Sequence, residues 1–248
     1  MPPYISVCIP LYNEAAIAAD TARTLWRAMD SFRRAYGWSF EVIFSDDGSR
    51  DGCAAIVEKT AGAEGLDGIR VVRYEDNRGK GSAVREAVLA SEGELVLYTD
   101  CDLAYGTDVI AEAARRFTDG VDAVIGSRNL TGDGYAGYSP LRRLASKAYI
   151  RVLCLAAGFR LSDSQCGCKA FRGDLARRIF AKCETNGFAF DFEVLLLAQK
   201  CGARITEMPV KIINHRESTV HVVRDSVKML RDLAAIKKRV KSVELVEN

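Results

Sequence analysis

A mostly parallel α/β sheet with helices on both faces is what this sequence of 248 residues predicts, on three observations. Short β-rich apolar runs alternate with stretches of helical apolar spacing, the order that builds parallel strands joined by crossover helices. The runs are apolar throughout, as strands are when helices cover both their faces. Several end in polar clusters, and in such sheets ligands bind beyond the carboxyl ends of the strands.

The elements follow in order. Ile5–Ile9 is a first strand, ending at Pro10, and Glu14–Tyr36 carries Ile17, Leu25, Met29 and Phe32 at helical spacing. Phe40–Phe44 is a second strand, Asp51–Ala61 a helix, and Ile69–Tyr74 a third strand. A helix over Ala83–Ser91, a strand over Leu95–Tyr98, a helix over Asp108–Phe117 and a strand over Val121–Gly126 complete the regular alternation. Beyond residue 128 the reading is a helix over Leu141–Phe159, a loop and short strand in SDSQCGCKAF, and a helix over Phe190–Cys201. Two short strands, Arg204–Met208 and Val210–Asn214, flank Pro209, and a helix over Arg224–Lys241 closes the chain. One domain is expected, with residues 1–128 as one half, 129–221 as the other and 222–248 as a C-terminal helix.

Composition bounds the function. The chain is 48% hydrophobic and 27% charged, with a formal net charge of +2. That excludes collagen, coiled coil, low-complexity disorder and a multi-span membrane protein, and no nucleic-acid partner is expected. Ala145–Phe159, the longest apolar stretch, is interrupted by Lys147 and Arg151 and falls short of the ~18 residues a membrane span needs. The opening MPPYISVCIPLYNE has no basic region before its apolar run, so a signal peptide is not expected. Cysteines 8, 53, 101, 154, 166, 168, 183 and 201 form no CxxC pair and read as reduced, buried thiols of a cytosolic protein.

The polar clusters carry the chemistry. Pro10-Leu11-Tyr12-Asn13-Glu14 follows the first strand, Asp46-Asp47-Gly48-Ser49 the second and Asp100-Cys101-Asp102 the fourth, which puts carboxylates from three segments on one rim. Such crowding is repulsive unless a cation or ligand offsets it. Alternate residues of an extended segment point the same way, so Asp100 and Asp102 can approach one hard divalent ion, Mg2+ or Mn2+, that also takes substrate phosphates. Asp46 and Asp47 suit a ribose or base N–H, but equally a turn in which Ser49 or Asp51 caps the next helix. Gly79-Lys80-Gly81-Ser82 looks like a phosphate loop but fails the Walker spacing, with Tyr74 at the first glycine position.

In this order — PxYNE, DDGS, NRGKG, DxD and GSR at Gly126–Arg128 — the motifs resemble the inverting nucleotide-sugar glycosyltransferases of family 2, which have the GT-A fold. The segments RRLASK (142–147), DSQCGCKAF (163–171) and FAFDFE (188–193) resemble the polyprenyl-phosphate branch, which includes dolichyl-phosphate glucose and mannose synthases. The resemblance implies that Pro10, Tyr12, Asn13, Glu14, Asp46, Asp47, Lys80 and Asp100 bind the nucleotide. Asp100 and Asp102 would hold the metal, and Arg128, Arg142, Ser146 and Ser218 the acceptor phosphate. Arg128, Arg142, Arg216 and Asp163 would surround the reacting groups. Two departures stand out: Ala104 where mannosyl relatives can place a metal-binding Gln, and Thr219 where a closing Lys is common.

The implied reaction moves a hexose, glucose as the first choice, from a UDP-glucose or GDP-mannose type donor to a polyprenyl phosphate at the cytosolic membrane face. A lipid monophosphate is its own nucleophile and needs cations, for which arginine is suited. A saccharide hydroxyl acceptor is the alternative and would need a base, for which Asp163, Asp191 and Glu193 are the candidates. Binding of a nucleotide sugar without turnover is a third reading, against which Asp100, Asp102 and the arginines stand. His215 and His221 flank the 216–218 segment. The basic, amphipathic 224–241 segment suits either a membrane surface or the protein body, and Leu141–Phe159 is a second membrane candidate. The oligomeric state stays open, a homo-oligomer included.

Overall fold

The computed structural model describes residues 4–117, 120–214 and 222–244, and of residues 142 and 222–231 the backbone alone. The chain runs β1 (Ile5–Leu11), α1 (Ala15–Tyr36), β2 (Phe40–Asp47), α2 (Cys53–Glu64), β3 (Ile69–Tyr74), α3 (Lys80–Ala90), β4 (Leu95–Tyr98) and α4 (Asp108–Arg115). It continues through β5 (Ala123–Ser127), α5 (Pro140–Ala157), β6 (Lys169–Arg172), α6 (Gly173–Phe180), α7 (Phe190–Lys200), β7 (Ile205–Pro209) and α8 (Val222–Ser242). The strands form one sheet in the order β3-β2-β1-β4-β6-β5-β7.

β1 pairs in parallel with both β2 and β4, and β7 in parallel with β5. β6 runs antiparallel to β4 and to β5, so the sheet is mostly parallel, as expected, with one reversed strand. The carboxyl ends of β1, β2, β4, β5 and β7 therefore share one edge, and β6 starts from it. The strand order reverses beside β1, which opens the crevice that ligands use in such sheets. Two apolar layers hold this geometry. Ala18, Ala22, Leu25 and Met29 of α1 pack with Val7, Ile9, Val42 and Phe44 on one face. Val84, Val88, Phe180, Phe190 and Leu195 pack with Cys8, Ile43 and Tyr98 on the other. Each fully buried aliphatic or aromatic side chain contributes about 1.5–3 kcal/mol.

One expectation needs correction, one element is added, and one open choice is decided. Residues 210–214 do not form a strand: Ile213 donates its amide to the Ala104 carbonyl at 2.8 Å, which ties the segment to the loop after β4 instead of to the sheet. A helix, α6, lies between β6 and α7 where the sequence reading named no element; Leu175, Ala176, Ile179 and Phe180 form its buried face. The described end of α8 packs on the protein body. Leu233, Ile236 and Val240 are buried, Lys237 donates to the Ala156 carbonyl (2.8 Å), and Lys200 donates to the carbonyls of Val240 and Lys241. The cysteines are free thiols and all but Cys201 are buried. Among the described residues no helix is long and apolar enough to cross a membrane.

The packing of α8 sets a stability cost. Leu233→Ala removes a side chain 2% exposed and is expected to destabilise the fold by about 2–4 kcal/mol in urea titration; a change below about 0.5 kcal/mol would mean α8 does not dock as described.

Candidate active site

At the carboxyl edge, the loop after β1 is tied to the loop after β2. Ser49 Oγ accepts the Asn13 amide (2.9 Å), Asn13 Oδ1 accepts the Arg50 amide (3.0 Å), and Asp51 Oδ2 accepts the Ala15 amide (2.7 Å). Asp51 thereby serves the start of α1, and its Oδ1 also accepts the amide of Cys53 (3.1 Å), the first residue of α2. Asn13 has φ +54°, a left-handed conformation that asparagine tolerates better than most residues. Tyr12 stands out from this rim, 51% exposed, and Pro10 lies inside β1 opposite Ser45. Asp46 accepts the Ser49 amide through Oδ1 (3.0 Å).

Asp47 is buried and organises the NRGKG segment. Its Oδ1 accepts from the Tyr74 hydroxyl (2.6 Å) and the Arg78 amide (2.8 Å), and its Oδ2 from Asn77 Nδ2 (3.0 Å) and the Gly79 amide (2.8 Å). Gly79 has φ +106°, and a Cβ there would stand 2.6 Å from the Asn186 carbonyl oxygen. The Gly81 amide, which a phosphate loop would turn toward its ligand, donates to that same carbonyl at 2.7 Å. The glycines thus admit a neighbouring backbone, and the group this segment directs to the rim is Lys80.

Lys80 pairs with Asp100. Burial works against the ammonium charge, but Asp100 and then Asp191 outweigh it and raise the Lys80 pKa. Asp102 folds back to accept the Ala104 amide through Oδ1 (3.0 Å). Between them the backbone is strained: Leu103 has φ +49°, costly for a residue with a Cβ. The turn is held by Thr21 Oγ1, which donates to the Cys101 carbonyl (2.8 Å), and by Asn214 Nδ2, which donates to the carbonyls of Asp102 (3.1 Å) and Leu103 (3.0 Å). A Cβ on Gly167 would overlap the Asp100 carboxylate, so only glycine leaves that carboxylate its place. Two hard carboxylate ligands suit Mg2+ or Mn2+. Among the described residues no three Cys, His, Asp or Glu side chains converge on one point.

Across the rim, the loop that enters β6 holds Arg128. Asp163 is fully buried and grips the guanidinium through two bonds, Nε to Oδ2 (2.7 Å) and Nη2 to Oδ1 (2.9 Å), and also accepts the amides of Arg128 (3.2 Å) and Gln165 (3.1 Å). Burial opposes the Arg128 charge, but the Asp163 charge outweighs it and the pKa rises well above the ordinary arginine value. The guanidinium lies over the Tyr135 ring at 5.3 Å, and Lys147 of α5 approaches that ring at 5.9 Å. Ser146 precedes Lys147 and is half-buried. Tyr105 is buried between the two sides: its hydroxyl pKa is raised chiefly by burial and also by the charges of Cys166, Asp100 and Asp163, against Arg128.

Asp191 and Glu193 lie deeper and are committed. Asp191 Oδ1 accepts from buried Lys169 (2.5 Å) and from the Tyr98 hydroxyl (2.6 Å). Glu193 accepts from Arg239 and from loop amides. Arg142 lies on α5 with its side chain outside the description, and Arg216, Ser218, His215, Thr219 and His221 lie outside the described residues. Two residues absent from the sequence reading support the site. Asn214 clamps the DxD turn. Glu207 of β7 accepts the amides of Ser162 (2.9 Å) and Asp163 (3.2 Å) and so sets the loop that holds Arg128. Neither sits in a motif; the extended stretch around Pro209 places both.

Comparisons with known proteins bear on the family and the fold. The profile of Glycosyl transferase family 2 matches residues 6–180. Glycosyltransferase AglD of Haloferax volcanii is 34% identical over 226 residues, 91% of this chain and 35% of its own length. The dolichyl-phosphate beta-glucosyltransferase of Dictyostelium discoideum is 30% identical over 252 residues, 95% of this chain and 74% of its own length. The chain thus spans about a third of the first relative and about three quarters of the second. Among solved structures, glucosyl-3-phosphoglycerate synthase from Mycobacterium tuberculosis in complex with Mn2+, UDP and glucosyl-3-phosphoglycerate superposes with a TM-score of 0.62 at 20% identity, over 98% of this chain and 81% of that one.

The close approach at Gly79 is testable by itself. Gly79→Ala combines a disfavoured φ with a 2.6 Å contact to backbone and should cost about 2–3 kcal/mol in chemical denaturation; a cost below about 0.5 kcal/mol would show that the 184–187 loop does not press on α3.

Proposed function

The chain belongs to glycosyl transferase family 2, and on that footing we propose that it transfers glucose from UDP-glucose to the phosphate of a polyprenyl phosphate, with inversion and with a divalent cation. It is a glycosyltransferase with the GT-A fold. The observation that carries the choice of acceptor is the state of its carboxylates. A hydroxyl acceptor needs a base. Each candidate base is already engaged: Asp163 on both oxygens by Arg128 and two amides, Glu193 on both oxygens by Arg239 and two amides, and Asp191 through Oδ1 by the buried Lys169 ammonium and the Tyr98 hydroxyl.

Arg128, by contrast, suits an anion. Asp163 takes its Nε and Nη2 edge, which leaves Nη1 donors for phosphate oxygens. A phosphate monoester with a second pKa near ~6 is largely dianionic at neutral pH. One of its oxygens attacks the anomeric carbon as the bond from that carbon to the leaving diphosphate breaks, and no proton need be removed. The cation held by Asp100 and Asp102 would neutralise charge on the leaving diphosphate. Lys80, drawn to the same carboxylate, places a second positive charge beside it. Tyr12 and the loops after β1 and β2 frame the space for the nucleoside. In this reading Arg128 and Ser146 take the acceptor phosphate, with Arg142, Arg216 and Ser218.

A lipid acceptor calls for a membrane-facing surface, and α5 offers one. Leu141, Leu144, Val152 and Leu155 are 78%, 68%, 51% and 65% exposed. They recur at near-helical intervals beside Arg151, the arrangement of a helix lying on an anionic bilayer surface. The free thiols fit a reducing compartment and hence the cytosolic face.

The test is incubation with UDP-glucose, GDP-mannose, Mn2+ or Mg2+ and a short polyprenyl phosphate, read as glycolipid mass and UDP release. UDP release should depend on the lipid phosphate, and Arg128→Gln should lower kcat/KM for it about 30–100-fold through loss of charged hydrogen bonds. Transfer to a saccharide hydroxyl with lipid phosphate inert would overturn the reading.

A further inference from the structure

The loop from Cys183 to Gly187 is gripped from two sides. On one side stands Glu193 of α7, fully buried. Its Oε2 accepts from Cys183 Sγ (3.2 Å) and from the amides of Glu184 (3.0 Å) and Thr185 (2.7 Å). Its Oε1 accepts from Arg239 of α8, through Nε at 2.9 Å and Nη2 at 2.7 Å, and the same Nη2 donates to Thr185 Oγ1 at 2.7 Å. On the other side stands α3. Arg85 donates to the Cys183 carbonyl (2.9 Å) and to Asn186 Oδ1 (3.0 Å), and the Gly81 amide donates to the Asn186 carbonyl (2.7 Å). A Cβ on Gly81 would meet the Thr185 carbonyl at 2.5 Å, so the loop backbone rests directly on the first turn of α3. That turn carries Lys80, the partner of Asp100.

We propose that Arg239 is a positioning residue for the donor site, acting through Thr185, Asn186 and the first turn of α3 to hold Lys80 against Asp100. This rests on the reading of that rim as the donor site. Docking of α8 does not depend on Arg239: Leu233, Ile236 and Val240 are buried, and Lys200 binds the carbonyls at the helix end. What Arg239 adds falls on the loop. It supplies the cation for a carboxylate that burial alone would push toward the neutral form; the Thr185, Arg239 and Cys183 donors together bring the Glu193 pKa below its ordinary value. Without Arg239 the carboxylate keeps its amide donors but loses its counter-charge, and Thr185 Oγ1 loses its tie to α8. The C-terminal helix, far along the chain from the DxD turn, thereby sets the cationic side of the donor rim.

The experiment uses the intact protein and three variants: Arg239→Gln, Arg239→Lys, and Arg85→Gln, which loosens the same loop from α3. Amide hydrogen exchange over residues 79–83, calorimetric binding of UDP with Mn2+, binding of a short polyprenyl phosphate and the melting temperature are read on each. In Arg239→Gln and Arg85→Gln, exchange over 79–83 should quicken and the UDP Kd should rise, each by about tenfold, while polyprenyl-phosphate affinity stays within about twofold. Arg239→Lys should recover most of the UDP affinity, since an ammonium still neutralises Glu193. Unchanged exchange over 79–83 in Arg239→Gln would overturn the link, as would an equal loss of UDP and polyprenyl-phosphate binding alongside a lowered melting temperature. Failure of the unsubstituted protein to bind UDP would instead overturn the donor reading, while the exchange comparison still decides the mechanical link.

Discussion

Carboxylates crowded on one edge of the sheet govern this molecule. Asp47 and Asp100 reach that edge because β2 and β4 run the same way, and Asp163 because antiparallel β6 is entered from that same edge. Like charges so placed repel, and a low dielectric strengthens the repulsion. Asp47 is quieted by four donors from the 74–79 segment, Asp163 by a bidentate guanidinium, and Asp100 by an ammonium. Asp47 and Asp163 are buried and saturated, while the Asp100 side chain remains 31% exposed. The balance of charge is therefore most easily altered at Asp100, by an incoming cation.

That asymmetry separates structural acids from reactive ones. Asp47 and Asp163 act on the site through what they hold: the first turn of α3 in one case, Arg128 in the other. The antiparallel strand β6 joins the two halves. The loop before it carries Asp163 at one end and Gly167, the neighbour of Asp100, at the other. A short segment thus links the arginine to the DxD turn, which explains why the second half of the chain inserts a strand into the middle of the sheet instead of adding one at its edge.

Much of this was legible in the residues. Local patterning marked the strands of the first half, and their continuous apolar character signalled covered faces. The polar clusters at their ends located the rim, and the DxD and arginine motifs resembled family 2. What escaped was set by distant contacts. The reversal of β6 depends on its partners β4 and β5, which lie far away in sequence. The 210–214 stretch has strand-like composition, but Asn214 and Ile213 bind the loop after β4, and no local pattern announces that. The basic helix α8 is amphipathic on either reading; only the Glu193 carboxylate and the carbonyl of Ala156 show where its cations go. Glycines 79 and 81 read as a phosphate loop because the same flexibility serves any close backbone approach.

On the proposed function, the Asp100 carboxylate, with Asp102, forms half of a cation site that a diphosphate completes. Electron paramagnetic resonance of Mn2+ titrated into the protein, with and without UDP, tests it most directly. Mn2+ alone should bind weakly, bind at least about tenfold tighter once UDP is present, and lose that enhancement in Asp100→Asn. Mn2+ binding that ignores UDP, or an enhancement that survives Asp100→Asn, would contradict it.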